Sequence, residues 1–241
     1  MRGFIRIGFT GALLGLAGAS CKRNDAANPP ASRAAADSTK VTPAASVRRV
    51  VLFVGTSLTA GLGLDPDSAF PALIQRKIDS AGLPFTTVNA GVSGETTSGL
   101  LERLDWILRA DFDVLVMETG ANDGLRGIAA ATVRQNIRTA LDRIKAKRPT
   151  ARILLVQMEV LPNLGPRYGA EFHRLYPELA SAEGVTLLPF LLDRVAGRPE
   201  LNQSDGIHPN QRGERLVAEN LWRGLKPVLD SIAAAPVAGS H

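Results

Sequence analysis

From residue 48 onward, the apolar residues form short continuous runs that alternate with longer segments of helical spacing. Residues 50–54 are a continuous apolar run, which is typical of a strand buried on both faces of a sheet. Further strands are predicted at residues 86–89, 114–118, 153–158 and 185–188, and helices at residues 70–80, 98–109, 132–147, 167–182 and 213–232. Strictly alternating strands and helices predict an α/β fold with a parallel sheet and helices on both faces.

Polar and glycine-rich segments follow the predicted strands at the points where those strands end. These segments are residues 55–57, 91–94, 120–123 and 159–165. In open α/β sheets, ligands bind beyond the carboxyl ends of the strands. A functional site is therefore expected where these segments meet.

The first residues of the chain have a different pattern, which predicts export. Arg2 and Arg6 precede a mostly apolar stretch, and the small residues 17–20 lead directly to Cys21. This arrangement resembles the signal of bacterial lipoproteins. It predicts that residues 1–20 are a signal peptide and that Cys21 is lipidated, which would attach the protein to a membrane of the cell envelope.

The uncharged stretch at residues 7–21 is shorter than the ~17 to 25 residues that a membrane-spanning helix needs. Ordinary secretion, with cleavage near Ser20, is the alternative to lipidation. Residues 22–47 are rich in Ala, Pro, Ser, Thr and Asp and predict a flexible linker. The remaining chain is predicted to contain one domain at residues 48–232 and a disordered tail at residues 233–241.

Composition and charge exclude several classes of protein. With 45% hydrophobic and 21% charged residues, the chain has the composition of a globular protein. The formal net charge is +5, but the basic residues are scattered and only 5% of residues are aromatic, which disfavours nucleic-acid binding. The single cysteine, Cys21, excludes an intramolecular disulfide and a metal site built from cysteines. The protein is expected to be a monomer.

Two of the polar segments carry residues suited to nucleophilic catalysis. Ser57 follows a buried strand, and Asp205 and His208 lie three residues apart in a loop before Pro209. Acyl transfer by serine needs a base to remove its proton and an acidic group to orient that base. Ser57, His208 and Asp205 are candidates for these roles, although a serine that caps a helix and a structural histidine are common alternatives.

Two further segments contain donors for an oxyanion. Gly94 offers an unobstructed backbone N–H, and Asn122 offers a side-chain amide. Each residue has a simpler explanation, because glycine and asparagine often close turns. Their occurrence at successive strand ends, between a candidate serine and an Asp-x-x-His, favours the catalytic interpretation.

Together these residues resemble a known superfamily. Ser57, Gly94, Asn122 and His208 match the four residues that name the SGNH (GDSL-like) hydrolases, and Asp205 completes the Asp-x-x-His motif. The resemblance implies a flavodoxin-like three-layer α/β/α sandwich with five parallel strands in the order 2-1-3-4-5. It also implies hydrolysis through an acyl-serine, without a metal or an organic cofactor. The oxyanion hole would be the N–H groups of Ser57 and Gly94 with the Asn122 amide.

Residues 121–127, 161–168 and 205–210 resemble the bacterial arylesterase, acyl-CoA thioesterase I and lysophospholipase L1 group within that superfamily. One residue departs from the pattern. Thr56 stands where the superfamily usually has an aspartate before the nucleophile, so the support of that turn must differ and reduced activity is expected. The loop after the fourth strand is stiff and apolar, and its candidate substrate-binding residues are Leu161, Pro162, Leu164 and Tyr168.

The expected function is hydrolysis of aryl or short to medium acyl esters, with lysophospholipids or thioesters as further substrates. A carbohydrate O-deacetylase of the cell envelope is one alternative, and a catalytically inactive surface-binding lipoprotein is another. Nucleotide-binding modules are disfavoured. After Gly55 the P-loop pattern requires a second glycine where Ala60 stands, and the dinucleotide pattern fails at Pro66.

Overall fold

The computed structural model describes residues 48–235. The predicted signal peptide, Cys21, the whole of the predicted linker at residues 22–47 and tail residues 236–241 lie outside the described residues. The strands are β1 (Arg49–Gly55), β2 (Phe85–Gly91), β3 (Val114–Met117), β4 (Arg152–Val156) and β5 (Thr186–Leu188). The α-helices are α1 (Ser57–Ala60), α2 (Phe70–Ser80), α3 (Thr97–Ile107), α4 (Ala121–Leu125), α5 (Ala130–Lys147), α6 (Pro166–Glu183) and α7 (Gln211–Ala234).

The five strands form one sheet in the order β2-β1-β3-β4-β5, and every pair is parallel. The predicted α/β fold and the strand order implied by the resemblance are therefore confirmed. The strand order changes direction at β1, because β2 lies on one side of it and β3 on the other. Such a switch point is where open sheets of this kind bind ligands.

Helices cover the sheet in two packed groups. Helix α2 packs against α7, while α5 packs against both α3 and α6. Strand β3 is buried along its whole length, as expected for a central strand covered on both faces. The edge strands β2 and β5 are partly exposed. Large side chains from the helices, including Phe70, Phe172 and Tyr176, complete a continuous core.

Several boundaries differ from those predicted. The fourth strand ends at Val156 rather than at residue 158, and the last helix begins at Gln211 because the Asn210 side chain caps it, accepting hydrogen bonds from the N–H groups of Arg212 and Gly213. That helix also extends through Ala234, two residues into the predicted tail. The short helices α1 and α4 were not predicted, because four or five residues show no helical periodicity.

The two ends of the described domain meet at the amino edge of the sheet. The guanidinium group of Arg49, at the start of β1, donates a hydrogen bond to the backbone carbonyl of Ile232 in the last turns of α7. Among residues 48–235, none of the helices combines the length and the apolar character needed to cross a bilayer.

Candidate active site

Ser57 lies on a tight turn between β1 and α1. It is the first residue of that helix, and only 8% of its surface is exposed. The turn depends on Gly55, since a Cβ atom there would lie 2.0 Å from Thr59 Oγ1 and 2.6 Å from Glu118 Oε2. The close approach of these two side chains fixes the strand-to-helix turn, which places the Ser57 hydroxyl at the carboxyl edge of the sheet.

The turn before Ser57 is held by a buried carboxyl group from the neighbouring strand. Glu118 directly follows β3, and its Oε2 accepts hydrogen bonds from the Thr56 backbone N–H (2.7 Å) and the Thr59 hydroxyl (2.9 Å). The Thr56 hydroxyl also donates to Glu118, at 3.0 Å from each oxygen. Burial raises the pKa of the Glu118 carboxyl, while the hydrogen bonds from Thr56 and Thr59 oppose that rise.

Thr56 therefore has a defined role despite its departure from the superfamily pattern. It supplies two hydrogen bonds to Glu118 and brings no second negative charge into a buried site. The prediction from sequence noted that support of the turn must differ, but it did not identify Glu118. The available signal was a carboxyl group at the end of a predicted apolar strand, where an unpaired charge would be costly.

His208 reaches Ser57 from the loop that precedes α7. Its Nε2 lies 2.8 Å from the Ser57 Oγ, and its Nδ1 lies 2.7 Å from Asp205 Oδ2. An ionised Asp205 accepts a hydrogen bond from the Nδ1–H of His208, which leaves Nε2 unprotonated and free to accept the serine proton. The three residues thus form a continuous hydrogen-bonded chain from carboxylate to hydroxyl.

Asp205 is held by its own loop. Its Oδ1 accepts hydrogen bonds from the backbone N–H groups of Ile207 (2.9 Å) and His208 (3.0 Å). These backbone donors, first His208 and then Ile207, together with the His208 ring, lower the pKa of Asp205 to about 2. The carboxylate is therefore ionised throughout the neutral range.

Side-chain amides attach this loop to the rest of the fold. Gln203 Nε2 donates to the carbonyls of Leu62 (2.7 Å) and Pro209 (3.0 Å), so the loop is tied to the segment just after α1. Asn210, which caps α7, also donates to the carbonyl of Asn202 (3.2 Å). These bonds fix the distance between the His208 loop and the Ser57 turn.

Ser57, Gly94, Asn122 and His208 line one cleft of about 230 Å³. Within residues 48–235, the backbone N–H groups of Ser57 and Gly94 donate no hydrogen bond. The Asn122 amide donates once, to the carbonyl of Glu95 (2.9 Å), and its second N–H is free for another acceptor. Gly94 has φ = 78°, in the left-handed region that favours glycine. Three donors are thus available on one side of the cleft.

A second, mainly apolar cavity of about 400 Å³ shares Leu58, Ala121, Leu125 and Ile207 with this cleft. Leu161 and Pro162, which were predicted to bind substrate, line it. Glu159 is the one acidic or basic residue among the described residues that line the cavity. Its Oε1 lies 2.6 Å from His173 Nδ1.

Leu164 and Tyr168, the other two residues predicted to bind substrate, are not among the residues that line this cavity. Leu164 closes a short 3-10 helix, Pro162–Leu164. Tyr168 lies in the first turn of α6, packs against Phe172, and donates from its hydroxyl to the carbonyl of Ile128 (2.5 Å). Its side chain is thus directed into the contact between α6 and the segment before α5.

Among residues 48–235, His, Cys, Asp and Glu side chains form no cluster of three or more that could hold a metal ion. The groups that the cleft presents for chemistry are a serine hydroxyl, an imidazole, a carboxylate and three N–H donors.

Comparison with known proteins agrees with this geometry. The esterase TesA of Pseudomonas aeruginosa is 40% identical over 182 residues, covering 75% of this chain and 90% of that protein. The thioesterase 1/protease 1/lysophospholipase L1 of Escherichia coli K12 is 36% identical over 187 residues, covering 77% of this chain and 88% of that protein. The crystal structure of the psychrotrophic esterase EstA from Pseudoalteromonas, inhibited by monoethylphosphonate, is 30% identical and covers 76% of this chain and 99% of its own, with a TM-score of 0.71.

The profile of the GDSL-like lipase/acylhydrolase family matches residues 53–216, a range that contains Ser57, Gly94, Asn122, Asp205 and His208. This match extends over more than half of the chain and ends within α7. The chain belongs to the GDSL-like lipase/acylhydrolase family.

Proposed function

We propose that the protein is a serine esterase that hydrolyses carboxylic esters through an acyl-serine intermediate, with Ser57 as nucleophile, His208 as general base and acid, and Asp205 as the group that orients His208. The observation that carries this proposal is the hydrogen-bonded chain from Asp205 through His208 to Ser57, beside three free N–H donors. The names of the relatives, an esterase and a thioesterase/lysophospholipase, support it.

In the first half of the reaction, the Ser57 Oγ attacks the ester carbonyl carbon while its proton passes to His208 Nε2. The carbonyl oxygen gains negative charge, which the N–H groups of Ser57 and Gly94 and the Asn122 amide stabilise. When the tetrahedral intermediate collapses, the bond to the alcohol breaks and His208 returns the proton to the leaving alcohol oxygen. The product is an acyl-serine.

In the second half, a water molecule takes the place of the alcohol. His208 removes a proton from the water as its oxygen attacks the acyl carbon, and the same three donors stabilise the second oxyanion. Collapse releases the carboxylic acid and returns the proton to Ser57. Asp205 keeps His208 in the required tautomer in both halves, because its ionised carboxylate accepts from Nδ1.

The cavity next to the cleft supports aryl and short to medium acyl esters as substrates. Its volume of about 400 Å³ and its apolar walls, including Leu161 and Pro162, suit one apolar arm of an ester. No observation favours a carbohydrate deacetylase or an inactive binding protein.

We assign the protein to the cell envelope on the sequence pattern, with lipid on Cys21 as the membrane attachment. If this is right, Cys21→Ser will move the protein from the membrane fraction to the soluble fraction. A wild-type protein that is soluble without detergent, with its N-terminus downstream of Cys21, would favour plain secretion instead.

The esterase proposal is tested with p-nitrophenyl esters of two to sixteen carbons, phenyl acetate, a lysophospholipid, a thioester and an acetylated sugar. We expect higher kcat/KM on phenyl and short-chain esters than on palmitoyl esters. An organophosphorus ester should label Ser57, Ser57→Ala should be inactive, and Ser93→Ala is the matched control, since Ser93 adjoins the oxyanion loop. An adduct on Ser93, or a Ser57→Ala variant with wild-type rates, would refute the assignment.

A further inference from the structure

Helix α4 and Arg126, the residue that caps its C-terminus, supply three side chains that contact the loop between β2 and α3 or the first residue of α3. Asp123 accepts hydrogen bonds from the backbone N–H (2.9 Å) and the hydroxyl (2.6 Å) of Thr97, at the start of α3. Asn122 donates to the carbonyl of Glu95 (2.9 Å). The third side chain, Arg126, has no place in the reaction described above.

The guanidinium group of Arg126 bridges the loop that carries Gly94 and the first turn of α4, which carries Asn122. Its Nη2 lies 3.1 Å from the carbonyl oxygen of Gly94, and its Nη1 lies 3.3 Å from the carbonyl oxygen of Asn122. Among residues 48–235, Arg126 forms no ion pair with a carboxylate. Its rigid, planar donors are instead directed at two backbone carbonyls, an arrangement that a flexible ammonium group cannot reproduce.

These contacts act on a loop in which the Glu95 side chain is paired with Arg103, while Gly94 itself has few other contacts. The Gly94 Cα has open space around it, since a Cβ there would meet no atom within 4 Å. The next residue, Glu95, donates its N–H to the carbonyl of Val92 at 3.3 Å, which is long for a backbone hydrogen bond. The carbonyls of Gly94 and Glu95 are therefore held by Arg126 and Asn122, and the bonds link the two proposed oxyanion donors to each other.

We infer that Arg126 is a positioning residue that holds Gly94 and Asn122 at the separation in which both can donate to the same oxyanion. This inference rests on the proposed esterase function and deepens it. Arg126 is exposed, so its contribution to the free energy of folding is small, whereas donors to a developing charge lose much of their effect when displaced. Arg126 should therefore affect the rate of reaction far more than it affects stability.

The test compares Arg126→Ala with wild type on a neutral ester, p-nitrophenyl butyrate. We expect kcat to fall about tenfold while KM stays within about twofold, because the loss is specific to the transition state. Asn122→Ala removes one of the proposed oxyanion donors and is the reference for the size of the Arg126→Ala effect. It should lower kcat by about 10² to 10³. The thermal midpoint of each variant is measured on the same sample.

Chemical rescue and a conservative variant separate positioning from a structural role. Guanidinium chloride, at concentrations well below those that denature the protein, should restore part of the kcat of Arg126→Ala and leave wild type unchanged. The kcat of Arg126→Lys should lie between those of wild type and Arg126→Ala, because the lysine ammonium can reach one carbonyl but cannot span both. The matched control is Arg167→Ala, since Arg167 is also exposed and bonds a side chain of its own helix, Glu171.

Three results would overturn the inference. The first is an Arg126→Ala kcat within about twofold of wild type. The second is a fall in kcat that accompanies a lower thermal midpoint and is not restored by guanidinium. The third is a KM that rises only for esters bearing an anionic group, which would make Arg126 a substrate-binding residue. If wild type fails to hydrolyse esters, or Ser57→Ala retains the activity, the proposed function itself is wrong.

Discussion

The two halves of the active site are built in opposite ways. The Ser57 turn is buried and is held by Glu118, a residue 62 positions away from Thr56 in the chain. The His208 loop is partly exposed and is held largely from within, since Asp205 accepts from residues two and three positions ahead. Half of the site thus depends on the packing of the sheet, and the other half depends on local hydrogen bonds.

This difference separates stability from activity. Substitutions in the exposed loop should lower the rate of the reaction and leave the fold intact, because few core contacts are lost. Substitutions of the buried carboxyl groups should change the free energy of unfolding, because polar groups in the core lose their partners. The following variants test this separation, from the largest expected effect to the smallest.

His208→Ala should lower kcat by about 10⁴-fold or more, because His208 is the base that is hydrogen-bonded to the Ser57 hydroxyl. The midpoint of denaturation should change little. Kinetics and a urea titration on the same preparation check both statements. His173→Ala serves as the control, since His173 is an exposed histidine that contacts Glu159 rather than Ser57. Equal losses of rate in the two variants would contradict the assignment.

Asp205→Asn should lower kcat by about 10² to 10⁴, because an amide can donate to His208 and favour the wrong tautomer. The fold should persist, since the asparagine oxygen can still accept from Ile207 and His208. Circular dichroism and kcat are the measurements.

In wild type, the pKa of Asp205 is lowered to about 2, so the stability that its carboxylate contributes is present above its usual pKa and is lost as pH falls towards 2.

Glu118→Ala should destabilise the protein by about 3 kcal/mol, because the Thr56 N–H and the Thr56 and Thr59 hydroxyls lose their acceptor in the core. The variant should also lose activity, since the Ser57 turn is no longer held. Glu118→Gln keeps the size of the side chain and an acceptor oxygen, so it should lower the free energy of unfolding by only about 1 kcal/mol. If the alanine variant matches wild type in chemical denaturation, Glu118 does not support the turn.

Glu214→Gln should stabilise the protein at alkaline pH by on the order of 2 kcal/mol. Burial raises the pKa of Glu214 to about 8, although the Phe70 N–H at the start of α2 opposes the rise. The folded state therefore keeps a proton that the unfolded state releases, and stability falls as pH increases from about 4.5 to 8. Denaturation midpoints between pH 5 and 9 measure the slope.

The control for that experiment is Glu219→Gln on the same helix, where the carboxyl group is exposed and pairs with Lys77. Its stability should follow the wild-type pH dependence. Parallel curves for wild type and Glu214→Gln would show that the buried carboxyl does not titrate in this range.

The same contrast explains what the sequence could predict. Asp205 and His208 are three residues apart, so their pairing is visible as a motif, and Ser57 is marked by the strand that ends before it. The strands and long helices follow from apolar runs and helical spacing, which are local signals. The strand order came from the resemblance to a superfamily and not from those signals.

Features that depend on neighbours in space were not predicted. The role of Glu118 requires β3 to lie beside β1, and that of Arg126 requires α4 to reach the loop after β2. The hydrogen bond from Tyr168 to the carbonyl of Ile128 depends on where α6 begins and on how it packs beside the segment before α5. None of these relations is encoded in the spacing of residues along the chain.

The position of β1 has a mechanical consequence. A pulling force that is applied at Arg49 and directed along β1 acts on a central strand, which is paired through seven residues with β2 and four with β3. Because the force is parallel to the strand, both ladders must be sheared together and cannot open one bond at a time. Ser57 lies two residues beyond the far end of that strand, so tension on the N-terminal side reaches the nucleophile only after the central ladders yield.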